Sequence, residues 1–187
     1  MTAEGLPPGR VREVRLYGDP ILRTKARLVT EIDKGLLQSA ADLVATMLAH
    51  DGLGLAANQI GLTSAIVAID LSRAEPSNGP IVLFNPQVVR NRGTEEAEEG
   101  CLSLPGITEV VARHSQVSVQ ATDYRGKKIE VSAQGIIARA LLHEIDHLNG
   151  ILFIDHLSEL RRQMLRSRLA RIKESVRPAS CVQMGDQ

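Results

Sequence analysis

Apolar residues recur at helical spacing from Leu36 through Leu37, Ala40, Ala41, Leu43, Val44, Met47 and Leu48, which predicts an amphipathic helix over about Asp33 to His50. Asp51-Gly52 ends it. Before it, Val11 to Tyr17 reads as a short extended stretch closed by the turn Gly18-Asp19-Pro20. After it come β-like runs over Ser64 to Leu71 and Ile81 to Asn91, with Pro86 marking an edge or a bulge. Gln116 to Thr122 and Lys128 to Ser132 alternate about Tyr124-Arg125-Gly126 as a β-hairpin. From near Ser132 the period changes: Ile136, Ile137, Ala138, Ala140, Leu141, Leu142, Ile145 and Leu148 are apolar nearly all round a helix, as in a helix buried in a core. Asn149-Gly150 supplies a left-handed cap. A last helix carries the stripe Leu157, Leu160, Met164, Leu165, Leu169 and Ile172, expected to pack on the domain, while Arg161, Arg162, Arg166, Arg168, Arg171 and Lys173 occupy the rest.

The buried helix holds the chemistry. His143-Glu144-Ile145-Asp146-His147 places two imidazoles four residues apart, and at ~3.6 residues per turn they share one face, about 6 Å apart along the axis. Both can reach one metal, and Glu144 can act as general base on a water activated there. An exposed helix that merely happens to carry two histidines is the bland reading. The apolar surroundings argue against it, because buried polar groups need partners.

Composition narrows the class. A chain of 187 residues with 43% hydrophobic content fits one domain, which we bound at 11–175, with a Pro/Gly-rich segment 1–10 expected to be disordered and a flexible tail at 176–187. Lys plus Arg and Asp plus Glu balance at 22 each, so nucleic-acid contact would have to be local and no DNA partner is expected. The 2% aromatic content also speaks against base-stacking platforms. The two cysteines, Cys101 and Cys181, are far apart and suggest a reducing compartment. No apolar run reaches membrane length, so the expectation is a cytoplasmic protein without a membrane partner.

Three further stretches bear on function. Gly52-Leu53-Gly54-Leu55-Ala56-Ala57 has the outline of a dinucleotide-binding glycine loop, with Asp70 near a ribose-binding position. That loop requires a strand before it and a helix after it, and here the order is reversed. The glycines instead let a ligand approach the backbone, with Gln59 beside them. Glu95, Glu96, Glu98 and Glu99 read as a solvated strand end or loop. Gly100 to Gly106 then encloses Cys101 in turn formers. A third metal ligand could come from the long metalloprotease motif, which Gly150 fits; but position 153 is Phe, His156 is out of place and Glu159 lies too close. Cys101 remains the best candidate, leaving an open fourth position as catalytic sites do.

Taken together, Gly52 to Gln59 (G-x-G-x-A-A-x-Q), Glu99 to Ser103 (E-G-C-L-S) and His143 to Leu148 (H-E-x-D-H-L) resemble the bacterial peptide deformylases of the first type. The resemblance runs from about Val11 to Lys173. Leu142, where many members have Gln, and Thr108, where a substrate-recognition arginine is often found, depart from it; Arg113 is retained.

The resemblance implies an α+β fold: small antiparallel or mixed sheets around a central metal-binding helix, with a C-terminal helix packed outside. It implies removal of the formyl group from N-formylmethionyl nascent peptides. Cys101, His143 and His147 would hold the metal, Glu144 would take a proton from the attacking water and return it to the leaving nitrogen, and the Leu102 N–H and Gln59 amide would hold the oxyanion. Leu53, Ile136 and Ala140 would wall the methionine pocket, the peptide would run along Gly54 and Gly100, and Arg113 would contact substrate. The metal implied is Fe(2+), replaceable by Zn(2+), Ni(2+) or Co(2+), and the partner implied is the ribosome near its exit tunnel, through the C-terminal basic helix. A zinc peptidase built on the same helix, and a binding module merely stapled by metal, are the alternatives.

Overall fold

The structure, a computed structural model, describes residues 3–176; Met1, Thr2 and the tail from position 177, Cys181 included, lie outside the described residues. Helix α1 (Lys34–Ala49) begins where expected. The Asp33 carboxylate accepts the Leu36 N–H at 2.8 Å, satisfying an N–H the helix itself leaves free, and Ala40, Leu43 and Met47 are buried beneath it.

Strands β1 (Gly54–Ala56), β2 (Ile66–Asp70), β3 (Pro80–Arg92), β6 (Gln116–Thr122) and β7 (Lys128–Gln134) form one sheet in the order β1-β2-β3-β6-β7. A separate ribbon pairs β4 (Glu95–Gly100) with β5 (Thr108–Arg113). All these strand pairings are antiparallel, so of the antiparallel or mixed sheets expected the chain takes the antiparallel form. Strand β3 is central, and Pro86 sits at a register shift between Phe84 and Gln87, a bulge that tolerates a residue without an N–H.

Helix α2 (Gly135–Leu148) lies against β1, β2 and β7. It starts a few residues later than the apolar pattern suggests, because β7 keeps pairing with β6 through Gln134. Its buried side chains Ile137, Ala138, Ala140 and Leu141 join Val67, Leu83 and Val119 in one core. The helix ends at Gly150, whose φ of 73° is left-handed. A Cβ there would come within 2.6 Å of the Arg23 carbonyl oxygen.

Two expectations change. Residues 3–10, expected to be disordered, lie along α1: the Arg10 N–H donates to Asp42 at 2.9 Å, Gln38 donates to the Pro8 carbonyl at 2.9 Å, and Gly9 packs so closely that a Cβ would sit 2.0 Å from the Ala41 oxygen. The extended stretch beyond them joins no sheet; its Arg15 and Tyr17 N–H groups donate to the Gln59 and Ser103 carbonyls at 2.6 and 2.8 Å, strapping both site-bearing turns. In helix α3 (Glu159–Ser175), Leu165 and Leu169 are buried against Leu104, Ile107 and Phe153. Leu160 and Met164, by contrast, are 68% and 65% exposed, since at ~3.6 residues per turn they stand about 100° or more round the helix from the Leu165 line.

Candidate metal centre

Cys101, His143 and His147 converge, and one ligand atom from each lies within 4.8 Å of the others. The histidines come from successive turns of α2, and the thiol comes from the turn after β4. Cys101 Sγ is 3.2 Å from His147 Nε2. Two imidazoles and a thiolate are the donor set of a borderline divalent cation, so the residues present fit a metal. His143 Nδ1 is held 3.0 Å from Glu99 Oε2, which leaves Nε2 for the metal and is the usual outer support of a ligating imidazole.

Glu144 stands beside them. It is buried, its Oε2 has no hydrogen-bond partner, and it lies so close to β1 that a Cβ on Gly54 would meet its Oε1 at 2.8 Å. That contact requires a glycine at 54. Burial raises the Glu144 pKa to about 7, which places it between accepting and releasing a proton near neutral pH. Burial likewise pushes His147 well below the ordinary histidine value. For His143 burial pulls in the same direction, but the contacts to Cys101 and Glu99 outweigh it and favour the charged ring.

Gln59 is oriented by the backbone at the end of β1. The Ala56 N–H donates to Gln59 Oε1 at 2.8 Å, so the amide nitrogen faces Cys101 Sγ at 3.5 Å and Ser103 Oγ at 3.3 Å. Leu102 follows Cys101 in a turn closed by the Leu104 N–H to Cys101 carbonyl bond of 2.9 Å; the N–H of the second residue of such a turn takes no part in that bond. A cleft of about 470 Å³ opens over these groups, lined by Leu53, Gly54, Gln59, Gly100, Leu102, Ile136, Ala140, His143 and Glu144 among others. The cleft thus brings together Glu144, Gln59, Leu102, Leu53, Ile136, Ala140 and both glycines, Gly54 and Gly100.

Arg113 is placed elsewhere. Its side chain is buried beneath the site, with Nε and Nη2 donating to Glu99 at 2.8 and 3.0 Å and Nη1 donating to Asp146. It supports the site from behind and does not line the cleft, because Arg113 shares the inward face of β5 with Val111. Asp146 in turn accepts from His156 at 2.7 Å.

Two side chains to which the sequence reading assigned no part in the site complete the centre. Glu99 is the buried member of the acidic run; it accepts from Arg113, Arg139 and His143. Although burial alone would raise its pKa, His143 and Arg113 hold it down at about 2. The available signal was Ala97: in a period of two, Ala97 and Glu99 share a face. Arg139, on α2, donates to Glu99 and to the carbonyls of Val111 and Glu95 at 2.8 Å each, riveting the β4–β5 ribbon to the helix. Replacing Glu99 by Ala takes one carboxylate from the buried Arg113, leaving it Asp146 alone, and the only carboxylate among the described residues from the partly buried Arg139, which is expected to cost about 3 kcal/mol and weaken metal binding about 10- to 100-fold. Urea denaturation of the metal-free protein and a competitive metal titration check the two parts.

The sequence profile of the polypeptide deformylase family matches residues 11–163. The chain belongs to that family. A peptide deformylase of Thermodesulfovibrio yellowstonii is 42% identical over 158 residues, covering 84% of this chain and 96% of the relative. One from Halothermothrix orenii is 44% identical over 155 residues, covering 83% and 99%. The crystal structure of a peptide deformylase from Legionella pneumophila superposes with a TM-score of 0.81 at 39% identity, over 90% of this chain and 100% of that one. As a member of the deformylase family the chain is a metal-dependent hydrolase that removes the N-formyl group from formylated peptides. Among the described residues no helix is long and apolar enough to cross a membrane.

Proposed function

We propose that the cleft over Glu144 deformylates the N-terminal formylmethionine of nascent chains, with Cys101, His143 and His147 as the protein ligands of a catalytic Fe(2+) that Zn(2+), Ni(2+) or Co(2+) can replace. The observation that carries this reading is Glu144, buried and unpartnered at one oxygen beside the three-ligand cluster. When bound, the divalent ion supplies Lewis acidity toward water and the formyl oxygen. Glu144 takes the proton of the attacking water and delivers it to the methionine nitrogen as the formyl C–N bond breaks. The Gln59 amide and the Leu102 N–H face the oxygen on which charge develops. The apolar walls Leu53, Ile136 and Ala140 receive the methionine side chain, and Gly54 and Gly100 let the peptide backbone approach.

Iron is chosen on family resemblance, and thiolate chemistry tests it. A thiolate beside a redox-active ion can be oxidised to sulfenic and sulfinic acid and leave the coordination sphere. Activity of iron-loaded protein is expected to decay in air and to be preserved by a reductant, while zinc- or nickel-loaded protein keeps its activity. Equal decay of all three forms overturns the assignment.

Docking on the ribosome through α3, in a cytoplasmic setting, is the second part of the proposal. Several α3 cations are already engaged: Arg161 faces Glu109 at 3.7 Å, Arg162 faces Glu159 at 3.3 Å, and Arg168 donates to the Gly106 carbonyl. Arg166 and Arg171 are exposed and suited to phosphate contact. Deleting the helix would strip Leu165 and Leu169 from the core, so charge reversal is the cleaner test. Arg166→Glu with Arg171→Glu is expected to weaken ribosome binding about tenfold or more and to flatten its salt dependence by about two units of log–log slope, with hydrolysis of a short formyl peptide unchanged. Unaltered ribosome affinity makes this face ordinary solvated surface.

A further inference from the structure

The two histidines of the cluster are unequally supported. His143 has its Nδ1 held 3.0 Å from Glu99 Oε2, and its ring stacks on Phe153 with centroids 6.0 Å apart. His147 turns Nε2 toward Cys101 Sγ at 3.2 Å, which makes Nε2 the nitrogen on the cluster side and leaves the ring proton to Nδ1. That Nδ1 is buried and has no hydrogen-bond partner among the described residues. A buried N–H without an acceptor is costly, and a ligating imidazole ordinarily gives its second N–H to an outer group that fixes the ring.

Among the described residues three buried side-chain polar atoms lack a partner: Glu144 Oε2, His147 Nδ1 and Asn58 Oδ1. Glu144 lines the cleft, whereas Asn58 and His147 do not. Each of those two residues is 1% exposed, and they are already joined, since Asn58 Nδ2 donates to the His147 carbonyl, one of those that the end of α2 leaves without a helical donor. Only the NH2 of an amide can face a carbonyl oxygen, so the orientation of the Asn58 amide is fixed and its Oδ1 is left as a free acceptor beside the same residue. The unmatched atoms are thus one donor and one acceptor, carried by two residues in contact.

We infer that Asn58 is the positioning residue of His147: its Oδ1 takes the Nδ1 proton, directly or across one buried water, and so sets the tautomer and orientation of the ring as Glu99 does for His143. The inference rests on the reading of His147 as a metal ligand. A neutral amide accepts more weakly than a carboxylate, so the two rings are supported to different degrees. The turn Ala57–Ile60 then serves the centre twice, Asn58 holding a ligand ring while Gln59 faces Cys101.

The test combines a competitive zinc titration with the ring N–H resonances of the zinc-loaded full chain carrying isotopically labelled histidine. Asn58→Leu, which fills the space without an acceptor, is expected to weaken zinc binding about 10- to 100-fold and to move the His147 Nδ1–H resonance upfield, while that of His143, held by Glu99, stays in place. Asn58→Asp gives up the bond to the His147 carbonyl but keeps an acceptor; it is expected to bind zinc about tenfold or more tighter than Asn58→Leu and to move the same resonance downfield, whatever its melting temperature. If Asn58→Leu does not fold, the Asn58→Asp resonance decides alone, a downfield move supporting the inference and any other result overturning it. Zinc affinity within about twofold of the parent in Asn58→Leu, equal losses in the two variants, or an unmoved His147 resonance overturns the inference and leaves the ligand assignment standing. Parental zinc affinity in His147→Ala overturns that assignment itself.

Discussion

Replacing Glu144 by Gln lowers turnover of a formyl-methionyl peptide by about 10²- to 10⁴-fold, the usual worth of positioned proton transfer, while the bound metal stays near one per chain. Glu144 is the only buried carboxylate among the described residues that both lines the cleft and keeps a partnerless oxygen, so no neighbour stands ready to take its place. Gln matches its shape against Gly54, and a neutral group suits a site whose burial already raises the carboxyl pKa to about 7. The loss should therefore appear in kcat and not in folding or metal content. Parallel measurement of kcat/KM, metal by elemental analysis and melting temperature separates the two. Activity retained within about tenfold would contradict the general-base role.

Cys101→Ala has an equally large effect through a different route. Removing the thiolate leaves two imidazoles from one helix, and a two-ligand site on a single face holds a divalent ion far more weakly than a three-ligand one. Metal content is expected to fall well below one per chain and formyl-peptide hydrolysis to fall to background. The fold should persist, since Cys101 is half-buried in a turn and the surrounding core of Leu104, Ile107 and Phe153 is large. A peptidase drawing its third ligand from downstream would keep its metal in this variant. Metal analysis after desalting distinguishes the two readings.

How far the sequence leads depends on whether a residue's partners are local. Helices α1 and α2 and the β6–β7 hairpin announce themselves because periodicity and caps are properties of adjacent residues: Asp33 caps α1 three residues away, and Gly150 closes α2 at once. The two histidines and Glu144 are legible for the same reason. Glu99 is not, because what makes it a buried support is Arg113 from β5 and Arg139 and His143 from α2, 14, 40 and 44 residues away. Its neighbours Glu96 and Glu98 do face solvent, so the acidic run read as a whole is right and at its last position wrong. Arg113 shows the converse: a retained arginine near a site motif reads as a substrate contact, yet the inward face of β5 turns it toward Glu99 and Asp146. In α3 a generous apolar stripe absorbed Leu160 and Met164, which the narrower contact with Leu104 and Phe153 leaves outside.

Formate release from formyl-Met-Ala by the metal-loaded full chain, measured beside the same peptide carrying an acetyl group and beside the Glu144→Gln variant, tests the central claim most directly. The account predicts one formate for each free amine formed, little or no reaction on the acetylated peptide, and near-complete loss in the variant. Cleavage of the Met–Ala bond, or no formate above the blank, would contradict it.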